Sequence, residues 1–290
     1  MNKRPSDTLP PAARFLAVVA LLPALLGGAV ASRVEAAPPA RKILARAEQI
    51  RSPEQDYTVE LSLKVTDPTT YWKERGAAYM LIAHGKEYSF IMMREPTAFY
   101  SGTLLIARGL YWLLLPRSQK PIQLAPRQVL SGDIANGDLA RGNLIKYYDV
   151  RLDGEEIVRE EPCWRLELTR VDSLGMYKRI RAWITKKHFR AWKSEYYGET
   201  DTLLRVAHYE DYRETPLGVR SMRMVVENSA RPSEQTVLTF SNLRALDASG
   251  LDFSTEGMPA FRDAAQAKRR ADGVPAQAED LLTLLVGDKP

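Results

Sequence analysis

The chain of 290 residues has one cysteine, Cys163, so no intramolecular disulfide can staple it in any compartment. Cys163 stands beside Pro162 in an apolar strand pattern. It has no electropositive neighbourhood, which reads as a small half-buried side chain and not as a reactive thiolate. Histidine is also scarce: His84, His188 and His208 occur far apart in unrelated contexts. HExxH, paired CxxC and an Asp-rich calcium loop are all missing, which removes the usual grounds for a metal site. No GxSxG elbow, no GxxxxGK[ST] and no GxGxxG occurs, so the motifs of serine hydrolases and nucleotide binders are missing as well. Glu155-Glu156 and Glu160-Glu161 lie next to a turn or strand edge. They read as solvated charge and not as the acid/base pair of a glycosidase. The expectation is a protein without cofactor and without catalysis.

Past the N-terminus there is no long apolar run. The one that exists, Phe15–Ala31, is interrupted by Pro23 and is short for a membrane span. Lys3, Arg4 and Arg14 precede it, and small-residue cleavage patterns follow at Ala29-Val30-Ala31 and Val34-Glu35-Ala36. Residues 1–36 read as a secretory signal removed on export, leaving a soluble chain. There is no strong excess of one charge either. The formal net charge is +5, and the leader's Lys3, Arg4, Arg14 and Arg33 outweigh its Asp7 and Glu35. The remainder is closer to neutral, which excludes a nucleic-acid partner on charge grounds.

What is present is mostly strand. Ala40–Ile50 is a short amphipathic helix with Ile43, Leu44, Ala47 and Ile50 on one face, ended by Ser52-Pro53. Tyr57–Thr66 alternates cleanly, with Tyr57, Val59, Leu61, Leu63 and Val65 pointing one way. Further strands are read at 77–83, 88–93, 103–107, 110–115, 147–152, 163–171, 177–185, 191–197, 203–212, 219–226 and 236–243. Thr103–Ala107 and Leu110–Leu115 are apolar on both faces and meet at Arg108-Gly109. Many strands with short gaps favour consecutive antiparallel pairing, a meander or a barrel of about eleven strands. From Tyr177 onward charges such as Lys178, Arg179, Arg181, Glu210 and Asp211 read as a solvated outer face. Between Pro126 and Gly132, the segment Arg127–Leu130 is read as a short helical piece. Residues 254–290 read as a peripheral tail with a helix at Ala278–Val286. Met80, Met92, Met93, Met222 and Met224 all fall in strands, and methionine suits an adaptable apolar pocket.

Several pieces in order carry a family resemblance. They are Ile43–Ser52, Arg94-Glu95-Pro96, Gly102-Thr103-Leu104-Leu105, Tyr111–Pro116, Val129–Asp133 and Asp138-Leu139. Later come Tyr148, Glu155–Leu168, Tyr177 to Ile184-Thr185-Lys186, and Glu195-Tyr196-Tyr197. Over about Arg41–Phe253 the chain resembles the outer-membrane lipoprotein-sorting proteins, relatives of the periplasmic lipoprotein carrier LolA.

The resemblance implies an incompletely closed antiparallel β-barrel over residues 37–253, with short helices as a lid over an apolar cavity. It implies a monomeric periplasmic protein that takes acyl chains of lipoproteins or lipids. Loading would come from an inner-membrane transporter and delivery would go to an outer-membrane acceptor. The candidate cavity residues are Val59, Leu61, Leu63, Phe90, Met92, Leu104, Ile106, Trp112 and Leu114. The candidate lid residues are Arg94, Val129, Leu130, Ile134 and Leu139. Arg94 matches the family's strand-end arginine before proline. The motif here is Arg-Glu-Pro, and a one-residue change moves a side chain to the other strand face. The same fold also resembles the sensor half of periplasmic stress regulators, which makes a regulatory binding module the alternative.

Overall fold

In the computed structural model, the residues described are 37–66, 75–94, 102–125, 129–131, 134–135, 143–273 and 275–287, without the side chains of 75, 129–131 and 134–135. The signal segment, Glu95-Pro96 and Leu139 lie outside the described residues, as do the side chains of Val129, Leu130 and Ile134.

Helix α1 (Ala40–Arg51) buries Ile43, Leu44 and Ala47 on one face, as its periodicity predicts. Its last turn closes when Ser52 N donates to Glu48 O at 2.7 Å, and Pro53 ends the run. Six strands then run as a meander: β1 (Tyr57–Thr66), β2 (Arg75–His84), β3 (Tyr88–Met93), β4 (Thr103–Ala107), β5 (Leu110–Leu114) and β6 (Ile122–Leu124). β4 and β5 join through Arg108-Gly109, both at positive φ, the two-residue turn whose twist suits a hairpin. A Cβ on Gly109 would sit 2.8 Å from the Tyr147 hydroxyl, so glycine is required there twice over.

A small separate ladder, β7 (Val129–Ser131) with β8 (Ile134–Ala135), follows. The helical piece read at Arg127–Leu130 is therefore corrected: residues 129–131 are strand. Too few residues lie between Pro126 and Gly132 to repay helix nucleation, whereas a paired strand satisfies its backbone at once.

Helix α2 (Leu144–Tyr147) leads into a second meander of β9 (Tyr148–Val158), β10 (Glu161–Arg170), β11 (Arg179–Thr185), β12 (Ala191–Tyr197), β13 (Leu203–Arg213), β14 (Arg220–Asn228) and β15 (Arg231–Ala245). β1 pairs with β15, which merges the two meanders into one antiparallel sheet of thirteen strands. Its order runs from β6 through β1 and β15 to β9, and β6 does not pair with β9. This is the incompletely closed barrel implied by the resemblance. Its inward residues, from Val59 on β1 to Leu166 on β10, belong to a single apolar cluster with α1, so the sheet curls around that helix.

The convex face divides in two. On β9–β13 it is charged and wet. Glu167 Oε1 accepts from Arg151 at 2.8 Å and its Oε2 from Arg181 at 3.4 Å, and Arg165 donates to Asp153 at 3.0 Å. On β2–β5 it is apolar, with Met80, Ile82, Phe90, Leu105 and Leu114 fully buried. Helices α3 (Met258–Asp272) and α4 (Ala278–Val286) cover them. Phe261 of α3 stacks on Phe90 at 4.2 Å between centroids, and Phe253 stacks on the same ring at 4.8 Å. The described part of the 254–290 segment, expected at the periphery, thus closes a second core on the outside of the sheet.

Candidate functional site

The concave side is where α1 lies, and three contacts hold it there. Glu48 is buried, and its carboxylate accepts the backbone N–H of Leu144 at 2.6 Å, at the start of α2. Arg41 donates to Ile145 O at 3.3 Å, and the Arg46 guanidinium lies 4.7 Å above the Phe189 ring. Burial pushes the Glu48 carboxyl above its ordinary range, while Arg51 and the two amides of α2 pull it back. The helix is therefore clasped at a few polar points over an apolar face.

A cavity of about 100 Å³ opens at the C-terminal end of α1, between that helix and strands β1, β2 and β13–β15. One water needs roughly 10–15 Å³ of such space, so this is room for part of a ligand. Val59, Leu61 and Leu81 form one wall; Met224, Leu238 and Phe240 form the other. Two cations also line it, Arg51 from the end of α1 and Arg220 from the start of β14. A second cavity of about 70 Å³ lies beneath α2. Arg51, Tyr209 and Met224 line both cavities, so one layer of side chains stands between them.

One β-bulge and one local twist shape the first cavity. On β13 the pairing with β14 keeps its register from Glu210↔Arg223 to Tyr212↔Ser221, and Asp211 between them, at φ 53°, is twisted out of the ladder. Tyr209 and Tyr212, on either side of that twist, both pack against the inward cluster. On β15 Asn242, at φ 51°, interrupts the pairing with β1 and brings Leu243 to the same side as Phe240. The Tyr212 hydroxyl donates to Ala191 O at 2.5 Å and those of Tyr196 and Tyr209 bond at 2.9 Å, so Tyr209 and Tyr212 line the cavity with their polar ends satisfied.

The candidate cavity residues fall on two faces. Val59, Leu61, Leu63, Leu104 and Ile106 are in the concave core, and Val59 and Leu61 line the cavity itself. Phe90, Met92, Trp112 and Leu114 are corrected: they belong to the convex core under α3 and α4. The reason is register. Leu104 pairs with Ile91 and Leu113, and Ile106 with Ser89 and Tyr111, so the odd-numbered residues of β3 and β5 share the face of Leu104. Arg94 is corrected likewise. It pairs with Glu60 on the convex face, and its carbonyl accepts from Arg269 of α3 at 3.0 Å. Of the methionines, Met222 and Met224 line the cavity, whereas Met80 packs on the outside. Arg51, Arg220, Tyr209 and Tyr212 were not foreseen. The polar Asp211 and Asn242 within otherwise regular strands were the available signal, because both residue types tolerate positive φ.

Cys163 is buried, and burial pushes its thiol up to about 11, consistent with an inert side chain. Among the described residues no cluster of His, Cys, Asp or Glu could hold a metal ion. No helix among them is long and apolar enough to cross a membrane.

A family model described as "Uncharacterized protein" matches residues 85–258. No curated protein matches the chain. Among solved structures, a LolA superfamily protein from Nitrosomonas europaea is 29% identical over 73% of this chain and 95% of its own, with a TM-score of 0.67. A putative outer membrane lipoprotein-sorting protein domain from Vibrio parahaemolyticus is 18% identical, covering 74% of this chain and 96% of its own, with a TM-score of 0.63. A DUF1329 family protein from Desulfovibrio piger is 22% identical over 77% and 99%, with a TM-score of 0.64.

Proposed function

Because the chain belongs to the family whose model it matches, and its fold is that of the LolA-like lipoprotein-sorting proteins, we propose that it is a periplasmic carrier of acyl chains. In this reading residues 1–36 direct export and residues 37–253 are the carrier. Helices α3 and α4 of the 254–290 segment brace the carrier's outer face. Acyl chains of a lipoprotein or lipid enter between α1 and the concave sheet, and the loaded protein carries them from the inner towards the outer membrane. An inner-membrane transporter and an outer-membrane acceptor are its expected partners, and no chemical step is involved.

One observation carries the reading: the concave core is interrupted by an apolar cavity beside a helix clasped at polar points. Each methylene exposed to water costs about 0.8 kcal/mol, so a soluble carrier must cover the chain completely. The cavity is too small to do so while α1 stays in place, and lifting that helix would join the two cavities. Methionine and tyrosine walls suit a ligand that must be released again.

The test is extraction. The mature protein is mixed with vesicles containing a fluorescent triacylated peptide and then separated from them by flotation. The expected result is a soluble one-to-one complex of protein and peptide. A protein fraction free of label, with all label floating, would contradict the carrier role.

A further inference from the structure

The cavity is not purely apolar, and its charged side chains have one sign. Most arginines of the convex face are matched by carboxylates, as Arg151 is by Glu167, Arg165 by Asp153 and Arg223 by Glu210. Arg220 differs. Its Nη1 donates to Val219 O at 2.8 Å and its Nη2 to Leu217 O, so the guanidinium is tied to the β13–β14 turn. Its Nε is buried without a hydrogen-bond partner, and no carboxylate of the described residues pairs with it. Burial lowers its proton affinity, with only Tyr57 acting in the other direction. Arg51, the second cation of this cavity, has a carboxylate 3.7 Å away in Glu48.

A cation fixed in an apolar wall without a counterion is costly unless something supplies the charge. Arg220 lines the cavity beside Leu61, Met224 and Phe240, and each of its Nη atoms carries a second N–H beyond the one given to a carbonyl. An occupant that satisfies both halves must be greasy along most of its length and negative at one end. We propose that the cavity selects an amphiphile with an aliphatic chain and an anionic head, carboxylate or phosphate, whose oxygens accept from Arg220 with Arg51 close by. This rests on the carrier reading and narrows its cargo. A triacylated cysteine, with ester and amide heads and no anion, would still enter the cavity but leave Arg220 unmatched, and so bind more weakly.

The experiment compares palmitate, hexadecyl phosphate and methyl palmitate for displacement of an uncharged fluorescent acyl probe. Wild-type protein is expected to bind one or both anions about tenfold or more tighter than the ester, in line with a charge-assisted hydrogen bond. Which anion is preferred identifies a fatty acid or a phospholipid head as the source. In Arg220→Gln the acid-to-ester ratio is expected to fall towards one. In Lys187→Gln, which removes a charge from an exposed turn outside the cavity, the ratio is expected to hold. Equal wild-type affinity for acid and ester would overturn the proposal while leaving the carrier intact, and that comparison needs no variant to fold. Failure of all three ligands to displace the probe, or of the probe to bind, would overturn the carrier reading and this one with it.

Discussion

Phe261→Ala is expected to destabilise the protein by about 3–5 kcal/mol, the range for removing a fully buried phenylalanine. Phe261 is 2% exposed and stacks on Phe90, which Phe253 covers from its own position. Deleting the ring opens a void between α3 and the sheet that neither strand nor helix can close without losing other contacts. Arg262 donates to Leu115 O at 3.3 Å and also to Ser118 O, and Arg269 holds Arg94 O, so the helix cannot slide to fill the gap. The measurement is the urea unfolding midpoint with the slope unchanged. Because Phe261 lies on the convex face, the folded variant should still take up the fluorescent acyl probe. A loss below about 1 kcal/mol, the ordinary effect of a random substitution, would mean that α3 is not part of the fold's core.

Phe240→Glu should act in the opposite way, weakening acyl-probe binding at least about tenfold with a much smaller effect on folding. Phe240 pairs with Leu61 across β15 and β1 and forms part of the cavity wall, yet it is only half-buried. A carboxylate there stays hydrated while the cavity is empty. When a chain enters, that hydration must be stripped away, and the aromatic contact is gone as well. Leu61→Glu would block the cavity too, but Leu61 is 2% exposed, and a charge there would cost several kcal/mol of stability. Phe240→Glu separates binding from folding and Leu61→Glu does not. Unchanged probe affinity in folded Phe240→Glu would remove the cavity from the account.

The two substitutions lie on opposite faces of one sheet, and that division was the part of the structure hardest to read in sequence. β1 was legible because its outward residues are polar: Thr58, Glu60, Ser62 and Lys64 leave one choice for the core. β3, β4 and β5 are apolar on both sides, since α3 and α4 cover the outer face as α1 covers the inner one. With no charged residue to mark the solvent side, alternation alone leaves the inward parity of Phe90, Met92, Trp112 and Leu114 undetermined. The covering helix α3 carries its own signal, Met258, Phe261 and Ala265 at helical spacing, but Pro259 at its start and the Ala- and Arg-rich remainder make it resemble a peripheral tail. Helix α4, by contrast, has the bounds its apolar run predicts, with Asp280 completing a capping box on Gln277.

Within the site, the walls were legible and the cations were not. Val59 and Leu61 follow from simple alternation, whereas methionine in strands marks both faces, Met222 and Met224 at the cavity and Met80 and Met92 on the convex side. Arg51 and Arg220 sit at the end of a helix and the start of a strand, where periodicity says nothing about direction. Tyr212 and Leu243 reach the cavity beside residues at positive φ, Asp211 as a twist without a register shift and Asn242 as part of a bulge that inserts a residue into β15. A period-two pattern read straight through such a bulge assigns every later residue to the wrong face.

The most direct measurement is native mass spectrometry of the mature protein purified from periplasm, followed by solvent extraction of whatever it holds. One bound acylated molecule per protein is expected, lost in Phe240→Glu and retained in Phe261→Ala. A protein of bare polypeptide mass that also binds no added acyl probe would contradict it, because the cavity beside α1 would then be a packing defect and not a binding site.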